Sequence, residues 1–358
     1  MSERAAPERA RVLVADDSAL MRRTLSGIIN GDPDLVVIAT ARDGDDALKK
    51  ARELRPDVIT MDINMPGCDG ITALQLVVGE GICPVVMVSS LTQRGAVTTF
   101  EAMELGAFDY VAKPEGTVSS NLSSVASDLV TKLKCAARVG TLGRLRRRSQ
   151  RREVAAVTTP TERSPVTNSF RYKAVAIGIS TGGPSTLGEV LPFLPGDVGA
   201  ALFLVQHMPA KFMPAFAERL NRNCQIEVLL AQPGMTVQPG TCYVAKGGYQ
   251  LGLLRRLNGE VVIRTPSFPK TLFMPSVTEM MRSVHSVFGA ETVGVLMTGI
   301  GDDGAEMMVK IRESGGRTIA ESEETAVVFG MPRKAIELGG AEVVAPSFQI
   351  ANEIMKAL

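Results

Sequence analysis

The feature that most constrains the fold is an alternation of short apolar runs with amphipathic segments, which occurs in two separate stretches of the chain. In the first stretch, residues 11–15, 57–61 and 84–89 are among five continuous Val/Ile/Met-rich runs. Runs of this kind are typical of strands that are buried on both faces of a parallel sheet. The alternation therefore predicts an α/β domain with a doubly wound, five-stranded parallel sheet.

The same alternation returns near residue 172 and continues to residue 358. Apolar runs at 173–179, 201–206 and 292–297 predict a second doubly wound α/β domain, again with a mainly parallel sheet. Asn258 and Gly259 lie between two strand-like runs, a pattern that is typical of a β-hairpin.

The segment between the two stretches has a different composition. Residues 135–171 are poor in large apolar side chains, and residues 146–152 read Arg-Arg-Arg-Ser-Gln-Arg-Arg. We predict a solvated linker here; the alternative is a basic arm that contacts nucleic acid, although no aromatic or DNA-binding motif accompanies it. The predicted organisation is a first domain over 1–134, a linker over 135–171 and a second domain over 172–358.

Charge and cysteine content exclude several classes of protein. The 39 Lys and Arg residues balance 38 Asp and Glu residues, so no chain-wide field favours nucleic acid or a membrane surface. No apolar stretch reaches the roughly 18 residues that a membrane-spanning helix requires. Five widely spaced cysteines without a Cys-x-x-Cys pair, together with a charged N-terminus, predict a reduced, cytoplasmic protein without a structural zinc site.

Polar side chains follow the predicted strands of the first domain. Asp16 and Asp17 follow the first apolar run, Asp62 follows the third, and Ser89 and Lys113 end the fourth and fifth. Because parallel strands end at one edge of a sheet, the three carboxylates should lie close together and repel unless a hard cation such as Mg²⁺ neutralises them. The set predicts a cradle for a phosphoryl group; the alternative is that each residue caps a helix or forms a turn.

The motifs around these residues resemble the receiver domain of two-component response regulators. They are Val-Leu-Val-Ala-Asp-Asp-Ser at 12–18, Met-Asp-Ile-Asn-Met-Pro-Gly-Cys-Asp-Gly at 61–70, and Lys113-Pro114. The resemblance implies a flavodoxin-like domain that a histidine kinase phosphorylates on Asp62, with Ser89 as the switch hydroxyl and Lys113 as the phosphate partner. The Mg²⁺ ligands that it implies are Asp16, Asp17, Asp62 and the backbone carbonyl of Asn64.

Histidine is scarce, which makes its positions in the second domain informative. Of the two histidines in the chain, His285 lies in an amphipathic helical segment and is predicted to be structural. His207 ends the run 201–206, at the carboxyl end of a predicted strand, where functional groups of parallel sheets collect. The alternative is a core histidine that is bonded to the backbone.

Two glycine-rich turns lie at other predicted strand ends. The first covers 177–184 and reads Ile-Gly-Ile-Ser-Thr-Gly-Gly-Pro, which places Ser180 beside the free backbone N–H groups of a predicted helix start. The second covers 298–305 and contains Asp302 and Asp303. A serine nucleophile needs a base, and the base needs a carboxylate, so we predict a Ser-His-Asp set in which either aspartate serves. The alternatives are a phosphate-binding loop at 178–183 and aspartates that act as helix caps.

From about residue 173 to the C-terminus the chain resembles the catalytic domain of chemotaxis-specific protein-glutamate methylesterases. The segments that carry the resemblance include 178–184, Gln-His-Met-Pro at 206–209, 298–305 and Val-Phe-Gly-Met-Pro-Arg-Lys-Ala at 328–335. The residues to which it assigns roles are Ser180 as nucleophile, His207 as base, Asp303 as orienting acid, and the backbone N–H groups of Thr181 and Ile300 as oxyanion donors.

The resemblance also implies an activity. It implies hydrolysis of glutamate γ-methyl esters, and deamidation of glutamines, on methyl-accepting chemotaxis receptors, with no cofactor at the esterase site. It further implies that the unphosphorylated receiver obstructs the catalytic cleft. Two alternatives stay open at this point: a second domain that only binds a partner, and an acyl hydrolase that acts on small molecules.

Overall fold

A computed structural model describes residues 9–90, 92–113, 119–138 and 172–358. The chain divides into two compact units, Met1–Thr158 and Thr159–Leu358. Most of the predicted linker, including its Arg-rich run at 146–152, lies outside the described residues, as does Pro114.

The first unit contains the predicted five-stranded parallel sheet, with strand order β2-β1-β3-β4-β5. The strands are β1 (Ala10–Ala15), β2 (Leu35–Ala41), β3 (Val58–Asp62), β4 (Val85–Ser89) and β5 (Asp109–Ala112). The helices are α1 (Ala19–Asn30), α2 (Gly44–Leu54), α3 (Gly70–Gly79), α4 (Gln93–Glu104) and α5 (Ser119–Arg138). Every residue of β3 and β4 is buried, which explains their uninterrupted apolar sequences. Helix α5 continues to Arg138, past the predicted domain end at residue 134.

The second unit is built on a seven-stranded sheet in which every pairing is parallel, with strand order β14-β13-β12-β6-β7-β9-β8. Its strands are β6 (Lys173–Ile179), β7 (Ala200–Gln206), β8 (Glu227–Leu230), β9 (Thr241–Val244), β12 (Thr292–Leu296), β13 (Arg317–Glu321) and β14 (Val343–Ala345). The strands β10 (Gly252–Arg255) and β11 (Val261–Arg264) form the predicted antiparallel hairpin around Asn258 and Gly259. The predicted fold class is therefore confirmed for both units.

The helices of the second unit are α6 (Gly183–Thr186), α7 (Met213–Asn223), α8 (Val277–Phe288), α9 (Ala305–Glu313), α10 (Met331–Glu337) and α11 (Ser347–Ala357). The sequence predicts one helix over 184–194, but the structure has only the single turn α6 there, followed by two 3₁₀ turns, Leu187–Glu189 and Leu191–Phe193. Pro192 lacks an N–H group to continue an α-helical ladder, so the segment breaks into turns. Within the part of the chain that the structure describes, no helix is long and apolar enough to cross a membrane.

Candidate active site

Three neighbouring strands of the seven-stranded sheet place the predicted catalytic groups. Ser180 follows β6, His207 follows β7, and Asp303 lies in the loop between β12 and α9. Strand β6 pairs with β12 on one side and with β7 on the other, so all three strand ends meet at one edge. The sheet topology thus brings together residues that are far apart in the chain.

The three side chains form one hydrogen-bonded row. The Nδ1 atom of His207 lies 3.2 Å from Oγ of Ser180, and its Nε2 atom lies 2.9 Å from Oδ2 of Asp303. An ionised carboxylate can only accept, so Nε2 carries the proton and Nδ1 is left to accept the serine hydroxyl. Ser180 is buried, with 8% of its surface exposed.

The Asp303 carboxylate is held at the start of helix α8. It accepts hydrogen bonds from Oγ of Ser276 (2.9 Å) and from the backbone N–H groups of Val277 (2.7 Å) and Thr278 (2.9 Å). Burial alone would raise the pKa of Asp303, but the hydrogen bonds from His207 and Thr278 hold it well below its ordinary value. Asp303 therefore stays ionised.

Asp302, the other candidate for the orienting carboxylate, is in a different environment. Its side chain is exposed, and its backbone carbonyl accepts the N–H of Ala305 at the start of α9. The structure places Asp303, and not Asp302, beside the imidazole.

Backbone contacts tie the turn that carries Ser180 to the loop after β12. The N–H of Ser180 donates to the carbonyl of Thr298 (2.9 Å), which ties the serine turn to the loop after β12. A Cβ at Gly299 would lie 2.8 Å from Cβ of Ser180, so only glycine allows this close approach. Among the described residues, no acceptor takes the N–H of Thr181 or Ile300.

Several supporting residues are not predicted from the sequence. The fully buried Glu321, at the end of β13, accepts the N–H of Thr298 (2.8 Å) and the hydroxyl of Thr325 (2.9 Å). The buried amide of Gln206 donates to the carbonyls of Ser180 (2.9 Å) and His207 (3.1 Å). These bonds fix the strand ends against one another. Their only sequence signal is a polar residue at the end of an apolar strand.

The sequence pattern also does not indicate Phe273 as a site residue. Its ring stacks on the imidazole of His207, with centroids 4.1 Å apart and an interplanar angle of 10°. The second histidine, His285, lies in α8, and its Nδ1 atom is 3.2 Å from the carbonyl of Gly289, away from the row. This position agrees with its predicted structural role.

The predicted phosphorylation pocket lies at the carboxyl edge of the five-stranded sheet. Asp16 and Asp62 are buried, and Nζ of Lys113 lies 3.0 Å from Oδ2 of Asp16 and 2.8 Å from Oδ2 of Asp62. Burial raises the pKa of Asp62 above its ordinary value, and the ammonium of Lys113 offsets only part of that rise. Asp17 is exposed, and one oxygen from each of the three carboxylates lies within 4.8 Å of the others.

The chemistry of this donor set fits Mg²⁺, which prefers hard carboxylate oxygens and retains several waters. A backbone hydrogen bond from Asn64 reaches the Asp62 carboxylate, which places the Asn64 peptide at the pocket. Ser89 is buried, and its hydroxyl lies 3.3 Å from the carbonyl of Gly95 in α4. The backbone carbonyl of Ser89 accepts the N–H of Lys113 (2.7 Å). The five predicted receiver residues thus lie at the ends of four neighbouring strands.

These features define a response regulator: a receiver unit and a second α/β unit with an alcohol, an imidazole and a carboxylate in a row. Residues 12–120 match the response regulator receiver domain, and residues 175–354 match the CheB methylesterase family. The chain belongs to the CheB methylesterase family and is a carboxylic ester hydrolase with a receiver domain.

Individual relatives agree with this assignment. The chain is 56% identical to protein-glutamate methylesterase/protein-glutamine glutaminase 3 of Syntrophomonas wolfei, over 97% of this chain and 99% of that protein. It is 44% identical to the protein of the same name from Archaeoglobus fulgidus, over 97% and 98% of the two chains. The crystal structure of the Thermotoga maritima CheB methylesterase catalytic domain superposes with a TM-score of 0.51 and 36% identity, covering 52% of this chain and all of that one.

Proposed function

We propose that the second unit hydrolyses glutamate γ-methyl esters on the cytoplasmic helices of methyl-accepting chemotaxis receptors, and that it deamidates glutamines at the same site. The observation that carries the proposal is the hydrogen-bonded row of Ser180, His207 and Asp303 at one sheet edge. The names of the relatives supply the substrate class, because they are called protein-glutamate methylesterase and protein-glutamine glutaminase.

In the acylation step, Oγ of Ser180 attacks the ester carbonyl while Nδ1 of His207 takes the hydroxyl proton. The carbonyl oxygen becomes an oxyanion, for which the N–H groups of Thr181 and Ile300 are the proposed donors. The C–O bond to the methoxy group then breaks, and the proton on His207 leaves with it as methanol. The charge of Asp303 stabilises the imidazolium between these two transfers.

In the deacylation step, His207 takes a proton from water, and the resulting hydroxide attacks the glutamyl ester on Ser180. The serine oxygen leaves with that proton, so the products are glutamate and free enzyme. A glutamine amide reacts by the same route and releases ammonia, because amides and esters share the tetrahedral intermediate. The row needs no cofactor for either reaction.

We propose that the receiver unit controls this activity through phosphorylation of Asp62 by a chemotaxis histidine kinase. Asp16, Asp17, Asp62 and the carbonyl of Asn64 are the proposed ligands of Mg²⁺, which would neutralise negative charge on the phosphoryl group. Lys113, which contacts two of these carboxylates, is the proposed partner of a phosphoryl oxygen. Ser89 can exchange its contact with α4 for one with the phosphoryl group, which would alter the receiver surface.

The most direct test of the activity is methanol release from methylated receptor membranes, with soluble small-molecule methyl esters as the comparison. Efficient release from receptors and slow release from small esters would support the proposal. The reverse preference would indicate a general acyl hydrolase. No release from either would favour a binding module.

Replacing Asp62 by asparagine should abolish the stimulation of methanol release by acetyl phosphate, since the amide cannot accept a phosphoryl group. The measurement is the ratio of rates with and without acetyl phosphate, which should fall to about one in the variant. Chelation of Mg²⁺ should give the same ratio in the parent. The exposed Asp45 of α2 offers a matched control, because Asp45→Asn should keep the full stimulation. Stimulation that persists in Asp62→Asn would contradict the assignment.

A fragment that contains residues 172–358 should release methanol faster than the unphosphorylated full chain. The reason is that we propose the receiver to restrain the catalytic unit until Asp62 is phosphorylated. The isolated catalytic domain of the Thermotoga maritima relative has been crystallised, so the fragment is expected to fold on its own. Equal or lower activity in a fragment with cooperative thermal unfolding would reject this restraint.

A further inference from the structure

We propose that Phe273 is a positioning residue for His207 and that its aromatic face stabilises the imidazolium formed during catalysis. This inference rests on the proposed function, because it concerns the base of the same reaction. It assigns a role to a segment between β11 and α8 that contributes no nucleophile, base or acid.

The stacking geometry is close to coplanar. The two ring centroids are 4.1 Å apart and the planes are inclined by 10°, so the phenyl ring covers one face of the imidazole. The two nitrogens at the imidazole edge are already bonded to Ser180 and Asp303. Two edge contacts fix the ring along its plane, and the phenyl face prevents it from tilting out of that plane.

The segment that carries Phe273 is anchored by the buried side chain of Gln250. The amide of Gln250 donates to the carbonyl of Pro269 (3.0 Å) and to Oγ1 of Thr271 (2.8 Å), and its oxygen accepts the N–H of Ser276 (2.8 Å). These contacts clamp the chain on both sides of Phe273. Ser276 also donates to Asp303, so the phenyl ring and the carboxylate belong to one rigid framework.

The phenyl face of Phe273 can stabilise the positive charge that His207 carries as an imidazolium. Among the described residues, the side chains recorded in contact with the ring are Ser180, Asp303 and Phe273, and of these three the Asp303 carboxylate is the charged one. A cation over an aromatic face is attracted by the ring quadrupole, and the attraction increases when water is excluded. Because transfer of the serine proton makes His207 positive, this attraction favours the transition state over the ground state.

Leucine at position 273 keeps apolar cover on the imidazole but removes the aromatic face. We expect Phe273→Leu to lower kcat/KM at its plateau by about two- to thirty-fold, and to move the midpoint of the acidic limb of the pH profile down by the corresponding amount, about 0.3 to 1.5 pH units. Phe273→Tyr, which keeps the face, should restore both. Phe268→Leu is the matched control: Phe268 lies in the same segment but is 70% exposed, and its substitution should change neither quantity.

A second measurement, NMR of the histidine rings, detects the stacking of Phe273 on His207 and does not depend on catalytic activity. Because the chain has two histidines, histidine-selective isotope labelling gives two sets of ring resonances. Phe273→Leu should remove the ring-current shift from the His207 set and leave the His285 set unchanged. If the parent shows this shift but no esterase activity, the proposed function fails while the stacking stands. A loss of activity in Phe273→Leu without a shift of the acidic midpoint, or unchanged His207 resonances, would overturn the proposed role.

Discussion

Replacing Ser180 by alanine should reduce methanol release from methylated receptors by about four to six orders of magnitude, the loss that follows removal of a serine nucleophile from such a row. The substitution removes one oxygen from a site whose backbone is held by Thr298. The fold should therefore survive, and thermal unfolding should show a midpoint close to that of the parent.

The control for this variant is a serine of the same unit that lies outside the row. Ser286 is exposed on α8, and its hydroxyl donates to the carbonyl of Ser283. Ser286→Ala should retain the parent rate. Near-parental activity in a folded Ser180→Ala protein would remove the basis for the proposed acyl-enzyme mechanism.

Replacing Asp303 by asparagine should lower the rate by about four orders of magnitude. An amide nitrogen facing Nε2 of His207 would donate a hydrogen bond to it, which favours the tautomer with the imidazole proton on Nδ1. His207 would then point a donor at Ser180 and could not accept the hydroxyl proton. The measurement is kcat/KM for methanol release at the pH optimum of the parent.

The same variant should also lose stability. Both carboxylate oxygens accept N–H groups at the start of α8, and an amide cannot satisfy all of these donors, so a buried donor is left without a partner at a cost of about 1–3 kcal/mol. The free energy of unfolding measures this effect separately from the rate. Asp302→Asn is the matched control, since the neighbouring carboxylate is exposed and should tolerate the change in both measurements. A large loss in Asp302→Asn with little effect in Asp303→Asn would contradict the assignment.

Much of this architecture is predictable because parallel sheets have a simple sequence signature. Strands buried on both faces require uninterrupted apolar runs, so the run at 173–179 predicts β6 with the bounds that the structure shows. Polar residues that directly follow such runs must lie at the carboxyl edge of the sheet. That rule is sufficient to predict that Ser180 and His207 lie at one edge of the second sheet. It likewise predicts that Asp16 and Asp62 lie at one edge of the first sheet. Spacing alone allows either Asp302 or Asp303 as the orienting carboxylate, and only the family resemblance indicates Asp303.

The features that sequence did not predict depend on contacts between distant segments. Phe273 lies 66 residues after His207 in an irregular segment, and nothing in a local pattern indicates that their rings stack. Glu321 is a polar residue at the end of an apolar strand, a pattern that many surface residues share. Its hydrogen bond with the N–H of Thr298 depends on the tertiary fold and cannot be inferred from the local sequence. Helix α11 is an exception, because its buried positions recur at helical spacing and a local pattern is sufficient to indicate it.

The most direct test of the central claim is to quench turnover of a glutamyl methyl ester substrate with acid and to map the covalent adduct by mass spectrometry. The mechanism predicts a peptide containing Ser180 whose mass is increased by the glutamyl acyl group, formed together with methanol and absent from Ser180→Ala. Turnover that proceeds with the acyl group on another residue, or that continues at the parental rate in Ser180→Ala, would contradict it.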